Sequence, residues 1–221
     1  MTNHRSLDSA QLQRLAPHLV GRARRGVVGS SRYARALRET ISRAARDPSR
    51  QAVLISGEPG LEKDNLAALV HFGSPARQQL MLRFDGALLR PDGADLFSTG
   101  AGTNGGPGEP PLLTLLGEGA LLIDKLDQVP AALQAMLLEL ARTGLWHGGG
   151  DEGSSHRFRG RVFFTTETAL PAFDPCCTVV RVPPLRVRRQ DLGEWLRFGV
   201  RQRSRKLGWP QPPQVDEAVV K

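Results

Sequence analysis

Short apolar runs at residues 53–56, 121–123, 161–166 and 178–182 have the length of strands buried on both faces, and residues 79–84 supply a fifth. Between them the spacing changes to that of helices. From a cap at Ser31, Tyr33, Leu37, Ile41 and Ala44 recur on one face as far as Arg46. Residues 65–71 follow a glycine-rich turn, and Pro130 opens a further helix that Gly144 ends. Residues 190–206 place Leu192, Trp195, Leu196, Gly199 and Val200 on an inward face. Strands alternating with helices imply the α/β class, with a parallel sheet covered on both sides. Residues 100–111 and 148–155, rich in glycine, read as loops. Residues 1–26 are polar and basic, with a short helical stretch at 10–19, and read as a loosely attached lead-in.

The most informative junction is the one between the first strand and its helix. Gly57, Glu58, Pro59, Gly60, Leu61, Glu62, Lys63 and Asp64 fill the frame of the phosphate-binding loop G-x-x-x-x-G-K-[ST]. In that loop backbone amides cradle phosphates and the lysine reaches the β and γ oxygens. Gly57 and Lys63 hold their places, whereas Glu62 replaces the second glycine and Asp64 the hydroxyl residue. A carboxylate about 5 Å from a phosphate costs roughly 3 kcal/mol at an effective dielectric of about 20, or about a hundredfold in affinity.

Further motifs follow in order. They are Val28-Gly29-Ser30-Ser31, His71 to Pro75, Asp95-Leu96-Phe97, Gly119 to Leu126, Gln134 with Leu137-Leu138, Arg161 to Thr166, and Pro183 to Leu192. From about Val27 to the C-terminus this series resembles the AAA+ domain of bacterial enhancer-binding proteins, ATPases that remodel RNA polymerase carrying sigma-54. The loop resembles the family's GESGTGKE, in which an acidic last residue is normal. Gly119 to Leu126 resembles GTLFLDEI, and Pro183 to Leu192 resembles PPLRERxEDI. The resemblance implies a P-loop NTPase (AAA+) three-layer sandwich over residues 27–208, after a lead-in at 1–26. Residues 209–221 are then the start of a truncated or missing helical lid, whose second sensor arginine has no position here.

It also implies roles. Gly29 lies in the motif beside the adenine, residues 57–64 are nucleotide-binding, and Asp124 holds Mg2+ if ATP binds. Lys125 stands where the family has the glutamate that polarises water, and Glu167 where it has a sensor asparagine. Loss of a general base costs roughly 10²–10⁴ in rate, and a lysine charged at neutral pH does not replace it. No arginine finger can be placed between residues 170 and 182. The sigma-contacting GAFTGA motif is missing from residues 98–106, so loss of the sigma-54 contact is expected. In this fold Glu62 and Lys125 face each other across the terminal phosphate, either as a direct salt bridge or as two separate solvent-facing changes.

Composition adds limits. With 221 residues, 40% of them hydrophobic, the chain can bury a core of its own. It has no membrane-length apolar run and no signal peptide, and its adjacent Cys176 and Cys177 suggest neither a zinc site nor a disulfide framework. A cytoplasmic setting is expected. The formal charge of +8 is carried almost wholly by arginine, since only Lys63, Lys125, Lys206 and Lys221 are lysines. The clusters Arg22/Arg24/Arg25, Arg186/Arg188/Arg189 and Arg197/Arg201/Arg203/Arg205 read as solvated basic faces in preference to a nucleic-acid footprint. Three readings stay open: a regulatory descendant binding ATP weakly or not at all and acting through a protein partner, a working ATPase that remodels a partner, and a basic nucleic-acid-binding module. An oligomer is compatible with each.

Overall fold

The computed structural model describes residues 7–98, 110–147 and 155–214. Its centre is a parallel sheet in the order β2-β3-β6-β1-β7, built from β1 (Ala52–Ser56), β2 (Met81–Asp85), β3 (Ala120–Asp124), β6 (Arg161–Thr166) and β7 (Cys177–Arg181). Successive strand residues point to opposite faces, so each apolar run supplies two cores. Val53, Ile55, Leu122 and Phe163 face α2 (Arg32–Arg46) and α3 (Lys63–Phe72). Leu54, Leu121, Ile123, Val162 and Phe164 face the other side, with Leu96 and Phe97 of α4 (Ala94–Phe97), α5 (Leu112–Leu116) and α6 (Ala131–Thr143). This is the three-layer sandwich of a P-loop NTPase, and its strands end together at one edge, carrying Ser56, Asp85, Asp124 and Thr166 there.

The lead-in departs from the loose attachment expected of it. Helix α1 (Ser9–Leu15) begins at a capping box between Asp8 and Gln11, and Leu15 is fully buried in the core. His18 stacks on Phe84 with ring centroids 4.1 Å apart, and the Val20 N–H donates to the Met81 carbonyl at 2.9 Å. The chain then crosses in extended form to the start of α3. A short antiparallel pair, β4 (Leu145–His147) and β5 (Ser155–Arg157), brackets residues 148–154; the loop expected there lies outside the described residues except for Ser155. Of the loop expected at residues 100–111, only Pro110 and Pro111 are described.

The last helix, α7 (Leu192–Lys206), corrects the inward face read from its periodicity. Leu192, Leu196 and Gly199 are exposed, and the buried positions are Gly193 and Ser204. Its inner contact is instead the Arg25 guanidinium, 4.0 Å from the ring centre of Trp195 and 5.8 Å from that of Phe198. An arginine from the lead-in takes the place that periodicity gives to aliphatic packing.

Candidate functional site

The site is assembled where β1, β2, β3 and β6 end. The Gly57 N–H donates to the Thr166 carbonyl at 3.2 Å, which draws the loop against β6. A side chain at Gly57 would sit 3.1 Å from Val182 and 3.2 Å from Leu61, a tight fit that those residues would have to relieve by shifting a few tenths of an ångström. The loop enters α3 through Glu62, whose backbone is left-handed (φ 50°, ψ 48°) and whose carbonyl accepts from the Asn65 and Leu66 N–H groups at 3.0 and 3.2 Å. The frame of a phosphate loop is therefore kept at a position that glycine occupies more cheaply.

The charged groups inside that frame are engaged with one another. Lys63 is buried; its Nζ donates to the Gly57 and Glu58 carbonyls at 3.0 and 2.9 Å and lies 3.5 Å from the Glu167 carboxylate. Asp64 receives a two-pronged contact from Arg24 at 2.9 and 3.0 Å, with Arg83 at 3.5 Å. Burial alone would raise the Asp64 carboxyl, but the Arg24 hydrogen bonds and the charges of Arg24 and Arg83 hold it below the usual carboxylate range. Glu62 meets Arg25 at 3.0 Å and Arg24 at 3.8 Å. Glu58 pairs with Arg186.

At the end of β3, Asp124 accepts from Thr165 Oγ1 at 2.5 Å and from Arg83 Nη2 at 2.5 Å. Lys125 also has a left-handed backbone (φ 58°, ψ 55°), its N–H donates to Thr165 Oγ1 at 2.9 Å, and its Nζ donates to Asp85 at 2.8 Å. That hydrogen bond raises the Lys125 ammonium above its ordinary value. Partial burial pulls Asp85 up, but the Lys125 hydrogen bond and charge, the Ala87 N–H and the Arg83 charge together hold it below the ordinary carboxylate value. The direct Glu62–Lys125 bridge is not formed: each side chain has taken a nearer partner of opposite charge, Arg25 for one and Asp85 for the other.

Residues 57–64, Asp124 and Glu167 thus converge, linked by the Lys63–Glu167 and Asp64–Arg83–Asp124 contacts, while Lys125 turns to Asp85. Gly29 is held elsewhere, by the start of α7. The buried Asp191 accepts from the Ser30 and Ser31 N–H groups and from the Ser31 hydroxyl at 3.0, 2.9 and 2.7 Å. Gly29 has φ +122°, and a side chain there would lie 2.3 Å from the Asp191 carboxylate.

Sequence reasoning missed Arg24, Arg25, Asn65, Arg83 and Asp85. The buried Asn65 clamps the lead-in, accepting from the Arg24 N–H at 2.7 Å and donating to the Arg25 carbonyl at 2.9 Å. Arg24 and Arg25 are therefore not the freely solvated face read from their clustering. An arginine and an aspartate inside the apolar run of β2 were the signal available for Arg83 and Asp85, because a strand covered on both faces carries charges only where it ends at a polar site.

The donor set is a poor fit to Mg2+, which takes near-octahedral oxygen ligands at roughly 2.0–2.1 Å. Both Asp124 oxygens are engaged, one of them by a guanidinium. Among the described residues no group of three or more His, Cys, Asp or Glu side chains could hold a metal ion. No helix of the described residues is long and apolar enough to cross a membrane.

Known proteins carry the same architecture. The chain is 28% identical over 200 residues to the Nif-specific regulatory protein of Klebsiella pneumoniae, covering 82% of this chain and 37% of that protein. It is 26% identical over 210 residues to a signal-transduction and transcriptional-control protein of Clostridium beijerinckii, covering 82% of this chain and 31% of that one. The chain therefore spans about a third of the length of these relatives. The crystal structure of NtrX from Brucella abortus in complex with ADP superposes with a TM-score of 0.72 at 22% identity, over 87% of this chain and 45% of that one. That likeness supports the three-layer α/β fold described above. The sequence profile of the Sigma-54 interaction domain matches residues 27–173, more than half of the chain. With the phosphate-loop frame, the sheet order and this match in agreement, the chain belongs to the sigma-54 interaction domain family.

Proposed function

We propose that this domain is a regulatory member of the family in which the nucleotide site is degenerate. It binds ATP weakly or not at all, does not turn it over efficiently, and acts through contacts with a protein partner in transcription control. The observation that carries this reading is the internal neutrality of the site. Lys63 is met by Glu167 and two loop carbonyls, Lys125 by Asp85, Arg83 by Asp124 and Asp64, and Arg24 and Arg25 by Asp64 and Glu62. A triphosphate must break such pairs before it gains a cation, and the carboxylates that lose their partners then repel it.

Supporting context comes from relatives named as a Nif-specific regulatory protein and a transcriptional-control protein, and from the family itself. The same kinship supports placing the domain in cytoplasmic transcription control, with a protein partner and optional self-association. The sigma-contacting segment expected to be lost, residues 98–106, lies outside the described residues from Thr99 onward. The nucleic-acid reading loses two of its arginines, since Arg24 and Arg25 serve the site, while Arg201, Arg203 and Arg205 remain exposed on α7. Calorimetric titration with ATP tests the proposal. A dissociation constant weaker than about 1 mM, equivalent to roughly −4 kcal/mol, is expected. Saturation in the low micromolar range would overturn it.

A further inference from the structure

We propose that the Arg83 guanidinium replaces the divalent cation of this site, so that Asp64 and Asp124 are bridged by the chain's own positive charge and do not recruit a metal. This deepens the reading above by naming what fills the metal position, and it rests on that reading only in taking Asp124 as the ancestral metal carboxylate.

The argument begins with register. Arg83 lies two residues before the end of β2 and pairs in register with Leu122, while Asp85 pairs with Asp124. From that position a long side chain reaches the carboxylates at the sheet edge. Its Nη2 lies 2.5 Å from Asp124 and its Nη1 3.5 Å from Asp64, so one planar fork spans two acids contributed by different elements. Both carboxylates are largely covered, with side-chain exposures of 13% for Asp64 and 11% for Asp124. A guanidinium shared between two covered carboxylates stabilises the charge of both.

Arg24 and Arg83 supply two positive charges against two negative ones, which leaves nothing for a dication to neutralise. A dication entering beside Asp124 would meet the guanidinium at contact distance and would also have to displace the Thr165 hydroxyl hydrogen bond or share its oxygen. Removing Arg83 reverses the balance. Asp64 and Asp124 would then keep only the charge of Arg24 and, for Asp124, that of Lys125, and the oxygens facing Arg83 would be free.

Manganese serves as a spectroscopic probe of that exchange, with no nucleotide present. Wild-type protein, Arg83→Ala, Arg83→Gln and the double variant Arg83→Ala/Asp124→Asn are titrated with Mn2+ and followed by electron paramagnetic resonance and thermal unfolding. The expected result is no protein-bound Mn2+ and no Tm response for wild type at millimolar metal. Arg83→Ala should gain affinity by about tenfold or more together with a metal-dependent rise in Tm. The double variant should lose both gains, and Arg83→Gln should repeat the Ala result if the Ala variant does not fold. Equal Mn2+ binding by wild type and Arg83→Ala would overturn the proposal, as would no gain in either single variant, or a gain that survives loss of Asp124. A purely structural ion pair would change Tm without creating a metal response. ATP turnover is not read in this experiment, so its outcome is separable from that of the functional proposal.

Discussion

Replacing Glu62 with glycine changes two quantities that the structure lets us separate. The first is stability. Glu62 sits at φ 50°, ψ 48°, where a non-glycine residue costs about 1 kcal/mol or more. Against that relief stands loss of the 3.0 Å contact with Arg25, a pair whose acidic side chain is 39% exposed and which contributes at most about 1 kcal/mol. Arg25 keeps its place over the Trp195 ring at 4.0 Å. The variant is therefore expected within about 1 kcal/mol of wild type in chemical denaturation.

The second quantity is affinity. A lone carboxylate about 5 Å from a phosphate repels it by roughly 3 kcal/mol at an effective dielectric of about 20. Here the Arg25 charge stands 3.0 Å from that carboxylate, on the order of 8 Å from the phosphate, and cancels much of the repulsion. The net repulsion from the pair is about 1 kcal/mol, but Glu62→Gly removes the carboxylate and leaves the Arg25 attraction in place, so ATP binding should tighten by about 3 kcal/mol, or about a hundredfold. Equilibrium dialysis with radiolabelled ATP at millimolar protein reads the change. A gain of less than about tenfold would show that the Glu62 carboxylate does not repel the phosphate, and would refute this account of the loop.

Other consequences follow from single side chains. His71 is buried with Nε2 2.9 Å from the Gln79 carbonyl, and burial lowers its pKa below 6.5. Because the unfolded chain then binds the proton more readily, stability is fully present above about pH 6.5 and falls as pH drops toward the folded value, with a limiting slope of roughly 1.4 kcal/mol per pH unit; urea unfolding of His71→Gln between pH 7 and 5 should show a shallower decline than wild type. Gly29→Ala meets the Asp191 carboxylate at 2.3 Å in a backbone with φ +122°, so thermal unfolding should show a loss of about 2 kcal/mol or more. Lys125→Glu places a carboxylate beside Asp85 in place of the ammonium now 2.8 Å away. It should lower Tm and leave ATP turnover at background, because Arg83, Glu62 and Glu167 are unchanged; recovered turnover would contradict the view that several parts fail together.

Much of the fold was legible because both faces of the sheet are buried. Such strands must be continuously apolar, and the runs at 53–56 and 161–166 mark β1 and β6 to within a residue. Helix α2 was equally plain, since Ser31 caps it through the Ala34 N–H and its apolar face is narrow. Helix α7 was not, because an apolar stripe does not say which side is covered, and here Arg25 fills the inner contact. The same limit hid half of the site. Motif position identifies Glu62, Lys63, Asp124, Lys125 and Glu167, but the other partners that neutralise them come from the lead-in and from β2, remote in sequence. Salt-bridge choice among long side chains depends on register and approach, which no local spacing encodes.

Release of inorganic phosphate from ATP by the purified chain, with Mg2+ present and across a range of protein concentrations, most directly tests the claim that this site has neutralised its own charges at the expense of catalysis. A rate indistinguishable from buffer is expected at every concentration. Sustained Mg2+-dependent release, abolished by Lys63→Ala, would contradict it.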